Sequence, residues 1–304
     1  MYFAVNKPAA NLLSQALTCV QGNPTGGRWF ALLDKAFDHD IRTPLRWPHQ
    51  SEAIYKGAGD IEAVSPTLLA LSTHATEAAA QEMAHLLRHC QGRPMLSFVQ
   101  TTLDMSDLAA AWHDVKWVRT DDGLRFLLRL ADTRVLSSLA DALQPHNWKR
   151  ICKPLQAWQI VDRTGGLQPL TLPMGAPNGA EEPKHDEPVE AFQINDKELA
   201  LLLDAAQPDV LINTLFEQVP DVLPTDADQA KVHAWVRQAC DLATVYGLDA
   251  TGDQLALAAT ACLTEGSVLA DPRLPGLLAR HQPGQASLVD ALAELLPVDE
   301  VPAT

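Results

Sequence analysis

Two spacings of apolar residues run along this chain, and the change from one to the other divides it. Up to about residue 171, short apolar runs bounded by turn residues are interleaved with helical patterns. Trp29-Phe30-Ala31-Leu32-Leu33 reads as a buried strand ending at Asp34, and Ala53-Ile54-Tyr55, Thr67 to Leu71 and Met95 to Gln100 read as further strands. Thr76 to Cys90 has helical spacing, with Ala79, Met83, Leu86 and Leu87 on its inner face, and Asp104 to Trp112 follows the same pattern. Lys116 to Arg119 and Leu124 to Leu130 form a predicted hairpin around Asp121-Asp122-Gly123. In its second arm Leu124, Phe126, Leu128 and Leu130 alternate at period two and are expected to share a buried face, with Arg125 and Arg129 opposite. Asp132 stands at an N-cap position, and a helix follows from Thr133 to Leu143. Ala157 to Val161 is strand-like and runs into the turn Thr164-Gly165-Gly166.

After residue 190 the spacing becomes helical and well punctuated. Asn195 with Glu198 makes a capping-box pattern, and Pro208 marks a second helix start. Thr225 with Asp228 opens a long helix closed by Gly247. Thr251 opens another, closed by Gly266, and Asp271-Pro272 and Ser287 open the last two. Between the two regions, Leu172 to Glu190 is rich in Pro, Gly and acid and almost free of large apolar side chains, a linker composition. The expected fold class is an α/β N-terminal lobe with a mixed sheet, residues 1–171, then an acidic Pro/Gly linker, 172–190, and an all-α C-terminal helical lobe, 191–304.

Charge sharpens this division. Residues 1–165 carry seventeen Lys/Arg against sixteen Asp/Glu, whereas residues 166–304 carry six against twenty-two. Such a surface is a poor partner for nucleic acid, which needs clustered cations, and suits a basic protein partner or solubility alone. Apolar runs are short and broken by charge, so no direct membrane insertion is expected. The first twenty residues lack a basic segment ahead of their apolar positions, which predicts a cytoplasmic location. Five cysteines, an odd number and never spaced C-x-x-C, read as scattered reduced thiols.

Motifs that carry chemistry are scarce. No G-x-S-x-G elbow or Walker A occurs, and the glycine-rich stretch Gly22 to Arg28 lacks the Lys-Ser/Thr that phosphates and magnesium require. His85 and His89 lie one helical turn apart beside Cys90, a spacing that can place two imidazoles on a metal, but without a third ligand they read as an exposed polar helix face. His39 between Asp38 and Asp40 resembles an acid–base cluster but sits in a turn-rich segment and reads as solvated loop. No metal or cofactor is expected. Arg125, Arg129, Asp132 and Arg134 have two readings: a partner- or ligand-binding patch built on bidentate arginines, or an internal Arg–Asp network tying the strand to the next helix.

Five segments in order carry a resemblance: Trp29 to Asp34, Ile54-Tyr55-Lys56-Gly57, Val64 to Leu69, Arg129 to Leu136, and Pro154 to Trp158. The succession resembles the adaptor/chaperone domain of bacterial type VI secretion systems, a domain long catalogued as one of unknown function, over roughly residues 28–165. Its hallmark is an Arg-x-x-Asp-Pro-Arg-like corner after a strand; here Thr133 stands in the proline's place. The helical tail, Phe192 to Leu296, is similar to the C-terminal lobe of longer members. The resemblance implies a non-catalytic cytoplasmic carrier that binds a secreted effector and helps load it onto the VgrG spike or its PAAR tip. Tyr55 and Lys56, which lie in its segments, join Arg125, Arg129, Asp132 and Arg134 as the expected partner-binding or fold-defining set. The alternatives are an enzyme with an unrecognised site, metal-dependent or otherwise, and an immunity protein that neutralises a toxin.

Overall fold

The computed structural model describes residues 2–22, 27–38, 41, 43–173, 192–225, 227–281 and 287–296. The chain divides into two units. One is Val5–Ala205; the other joins Met1–Ala4 to Ala206–Thr304. The expected linker at 172–190 lies almost wholly outside the described residues.

The first unit is built on a six-stranded sheet. Its strands are β1 (Arg28–Asp34), β2 (Ser51–Ala53), β3 (Pro66–Ala70), β4 (Leu96–Thr101), β7 (Ala157–Val161) and β8 (Leu167–Pro169), in the spatial order β2-β3-β1-β4-β7-β8. Every neighbouring pair in it is antiparallel. A smaller sheet holds β5 (Trp117–Arg119) between β6 (Arg125–Leu127), antiparallel to it, and β9 (Phe192–Gln193), parallel to it. The mixed sheet expected from the sequence is therefore the small one.

Both faces of the large sheet are covered, which explains why β1 from Trp29 onward and all of β4 are buried without alternation. On one face Phe30, Leu32, Val99, Trp158 and Ile160 share a core with α3 (Met105–His113), α4 (Thr133–Ala142) and α5 (Pro145–Cys152). At its centre Trp158 packs against Trp112 and Trp148, with ring centroids 5.4 and 6.1 Å away. All three indoles donate a hydrogen bond, to Ser97 Oγ, the Ile151 carbonyl and the Thr171 carbonyl respectively, so these large side chains are buried without orphaned donors. On the other face Leu96 lines a small cavity together with Leu12 of α1 (Leu12–Gln21) and Leu87 of α2 (Glu77–His89). The helices α1 and α5 were not among the expected elements.

The boundary expected at residue 190 is corrected. Phe192 and Ile194 are buried in the core of the first unit. The capping box forms as expected: Glu198 N–H donates to Asn195 Oδ1 and Asn195 N–H to Glu198 Oε2, both at 2.9 Å. Glu198 also accepts from Gln144 N–H at 2.7 Å and Asn147 Nδ2 at 3.0 Å, which ties this segment to α5 and moves the division to Ala205/Ala206. Helix α6 (Asp196–Gln218) continues through Pro208 instead of restarting there. It is the one helix among the described residues long and apolar enough to cross a membrane by length and composition, with mean hydropathy 1.3 over its most apolar window. Its Leu199 and Leu202 pack on the first core, and Leu211, Ile212 and Leu215 lie in the second.

The second unit is helical, with α7 (Gln229–Val245), α8 (Thr251–Leu263), α9 (Leu274–Leu278) and α10 (Leu288–Ala293) following α6. Asp228 caps α7, accepting from the Ala230 and Lys231 amides. Gly266 closes α8 at φ +81°, and a Cβ there would overlap the Trp235 indole. Residues 2–4 also belong here: Ala4 is buried in this core and Tyr2 stacks on Phe216 at 5.9 Å. The expected N-terminal lobe thus loses its first residues to the helical unit.

Candidate functional site

Strand β1 delivers Asp34 to the end of the large sheet, where its N–H donates to the Met95 carbonyl at 2.9 Å. Its carboxylate accepts from Ala36 N–H and so starts the single turn that buries Phe37. After β6 the chain bends at Arg129, whose Nη2 donates to Asp34 Oδ2 at 2.8 Å and whose Nη1 lies 3.3 Å from Asp132 Oδ2. Asp132 caps α4 through the Arg134 amide at 3.1 Å. It also takes the Arg134 guanidinium two-pronged, Nε on Oδ1 at 3.0 Å and Nη2 on Oδ2 at 2.8 Å. The Phe37 ring lies beneath both guanidinium groups, 4.8 Å from that of Arg129 and 5.3 Å from that of Arg134. Two acids and two arginines balance, and the acids are the buried members: Asp34 is 2% and Asp132 1% exposed.

Tyr55 completes this knot. It is buried, its hydroxyl donates to the Leu128 carbonyl at 3.0 Å, and its N–H donates to Ser65 Oγ. Burial pushes its phenol up from the ordinary value, with the Asp34 charge adding and Arg129 opposing. Burial likewise raises the Asp34 carboxyl; Arg129 and the Ala36 amide pull the other way without overcoming it. Lys56, the next residue, is exposed and makes no hydrogen bond or ion pair among the described residues.

Thr133, standing where the adaptor hallmark has proline, donates its N–H to the Pro94 carbonyl at 3.0 Å. A proline has no such donor, so this bond from the start of α4 to the approach to β4 is one the threonine permits.

Arg125 lies apart from the knot. It is exposed on β6, with its guanidinium 4.7 Å from the Trp117 ring centroid. The strand containing it is shorter than expected and its apolar alternation fails. Leu128 and Leu130 are buried, but Leu124 is 55% and Phe126 46% exposed, because β6 stops at Leu127 and forms the outer strand of the small sheet.

Of the other candidates, His85 is exposed, whereas the buried His89 ring pairs through Nε2 with Asp38 Oδ1 at 3.0 Å, so the expected exposed helix face holds only for His85. His39 and Asp40 lie outside the described residues. All five cysteines are free thiols, and burial pushes Cys152 and Cys262 up to about 12 and Cys240 up to about 11, far from a thiolate at neutral pH. An open cleft of about 470 Å³ at the start of β1 is lined by Arg28, Trp29, Gln50, Thr73, Asp104 and Ser106 among others, and by none of the six residues singled out from the sequence.

Asp34 and Phe37 are the members of the knot that sequence reasoning missed. The available signal was an acid placed directly after a fully apolar strand, where an unpaired carboxylate is costly.

The fold and the knot define a two-unit protein whose α/β half commits Arg129 and Arg134 to a charge-balanced junction around two buried acids. Within that half, residues 29–150 match the family described as Domain of unknown function (DUF4123). No curated protein and no solved structure matches the chain.

Proposed function

We propose that the protein is a bacterial cytoplasmic adaptor, or chaperone, that binds a type VI secretion effector and helps load it onto the VgrG/PAAR spike, acting by binding and not by catalysis. The observation that carries this reading is the family match over residues 29–150, which spans four of the five segments on which the resemblance rests. Two further features favour it. The Arg129/Asp132/Arg134 corner is committed to internal partners, as a fold-defining signature would be. Residues 206–304 carry four Lys/Arg against fourteen Asp/Glu, so the helical half offers a surface of different character from the α/β half, as simultaneous contact with effector and spike would use.

The test is secretion in the native cell. Deleting this gene should abolish export of the effector encoded nearest to it and leave other effectors of the same system exported. Unchanged export of that effector would contradict the reading.

A further inference from the structure

The small sheet presents an unusual edge. Val118 pairs with Phe126, Trp117 with Leu127 and Arg119 with Arg125. Thr120 N–H bonds to the Leu124 carbonyl and Leu128 N–H to the Lys116 carbonyl, so the even-numbered residues carry the bonds between β5 and β6. Arg119 accordingly turns its carbonyl the other way, where Ile194 N–H donates to it at 3.0 Å. By the same alternation the N–H and C=O groups of Arg125 and Leu127 point outward from β6, where no strand pairs with them among the described residues.

Side chains follow the same parity. Arg119 and Arg125 stand directly opposite each other in a pair not bridged by backbone hydrogen bonds, the arrangement that brings side chains closest and in which like charges are unfavourable. Both are exposed, and neither has a carboxylate within ion-pair distance among the described residues. Trp117 lies on the same face beneath Arg125. The nearby Asp122 is turned into the hairpin loop, accepting from the Thr120 hydroxyl and the Leu124 amide. On the opposite face Leu124 and Phe126 are about half exposed.

We propose that the outer edge of β6 docks an extended acidic segment of a partner protein by strand addition. Backbone pairing to Arg125 and Leu127 supplies the register. Alternate residues of the incoming strand then fall on the two faces: acidic ones relieve the Arg119/Arg125 repulsion, and apolar ones cover Leu124 and Phe126. The recognised chemistry is thus an alternation of acid and apolar residues at period two. This deepens the binding role proposed above and rests on it.

The experiment uses the full chain and three labelled peptides, read by fluorescence anisotropy: (Glu-Val)4, (Lys-Val)4, and (Glu-Val)4 N-methylated at every residue, which keeps its charge and has no N–H to donate to that edge in either strand direction. (Glu-Val)4 is expected to bind, more weakly as salt rises. Both other peptides, and the variant Arg119→Glu/Arg125→Glu, should lower affinity at least tenfold. Hydrogen exchange on the unaltered chain gives an independent readout: the Arg125 and Leu127 amides should gain protection when (Glu-Val)4 is added. Equal binding by the N-methylated peptide, or by the charge-reversed variant, or no gain in protection, would overturn the proposal. Effector that co-purifies with the charge-reversed variant as well as with the unaltered chain would overturn this edge as the docking site and leave the adaptor reading standing; no effector on either would overturn the adaptor reading itself.

Discussion

Asp132 serves four donors from a position almost sealed from water, the Arg134 amide, both prongs of the Arg134 guanidinium and one nitrogen of Arg129. Removing a partner from a buried carboxylate costs far more than the pair contributes, because the remaining charge stays desolvated. Arg134→Ala is therefore expected to destabilise the α/β unit by about 2–3 kcal/mol, Arg129 remaining as partial compensation. Arg134→Lys should recover less than half of that, since an ammonium cannot reproduce the fork. The urea midpoint followed by tryptophan fluorescence reads both, and an unshifted midpoint in Arg134→Ala would remove the knot from the account of stability. Glu198 gives a pH-dependent counterpart. Burial alone would raise its pKa, but hydrogen bonds from Gln144, Asn195 and Asn147, aided by His146, bring it below the ordinary value. A depressed carboxyl adds stability above its unfolded pKa, about 4.3, that is lost as pH falls through the lower folded value. Glu198→Gln should then cost about 1–3 kcal/mol at neutral pH, with an amide NH2 set against a backbone donor. The gap from the unaltered chain should narrow as pH falls below about 4.3, where the unfolded chain takes up the proton first, and should be smallest below the lowered folded value, where the carboxyl is protonated in both states. Asp34 has the opposite sign: its carboxyl is raised, so its contribution is full at low pH and is lost as pH rises through the folded value. A gap for Glu198→Gln that stays constant from pH 7 to pH 3 would contradict the assignment.

Elements were legible where local chemistry alone decides them. Asp132 caps its helix as expected, and the helices expected to start at Thr76 and Asp104 do start there, each capped by that side chain; the helix expected to open at Thr225 begins three residues later, with Asp228 as its cap. The hairpin signal of Asp121-Asp122-Gly123 and the Gly165 turn were likewise readable, each glycine taking a positive φ. What alternation could not reveal was the environment of a strand. Leu124 to Leu130 has the period of a half-buried strand, yet its first half sits at an outer edge and the chain turns into the core only at Leu128. Pro208 read as a helix start, but a proline also persists inside a helix whose flanking turns are held by two cores, at the loss of one backbone bond. Gly266 offers a check at this scale. Its left-handed backbone and the Trp235 ring leave no room for a side chain, so Gly266→Ala should lower the melting temperature by several degrees, through a loss of more than about 1 kcal/mol. A melting temperature equal to that of the unaltered chain would show that neither constraint holds.

At the scale of the whole molecule, two kinds of domain were evident from composition, but their limits were not. Tyr2 and Ala4 join the helical unit, and Phe192, Ile194 and Glu198 join the α/β unit, through contacts with residues more than fifty positions away, which leave no local trace in the sequence. The same holds for the knot: Arg129, Asp132 and Arg134 were visible as a cluster, whereas Asp34 and Phe37, about a hundred residues earlier, were not. A structure that commits its arginine corner inward and leaves a cationic outer strand free fits a carrier that grips a partner elsewhere on its surface. The most direct test is affinity purification of the tagged full chain from its native cell, followed by size-exclusion chromatography and an assay of the captured protein. The account predicts a stable complex with one effector whose toxic activity persists in the complex. A chain that elutes alone, or a complex in which the toxin is silenced as an immunity protein would silence it, would contradict it.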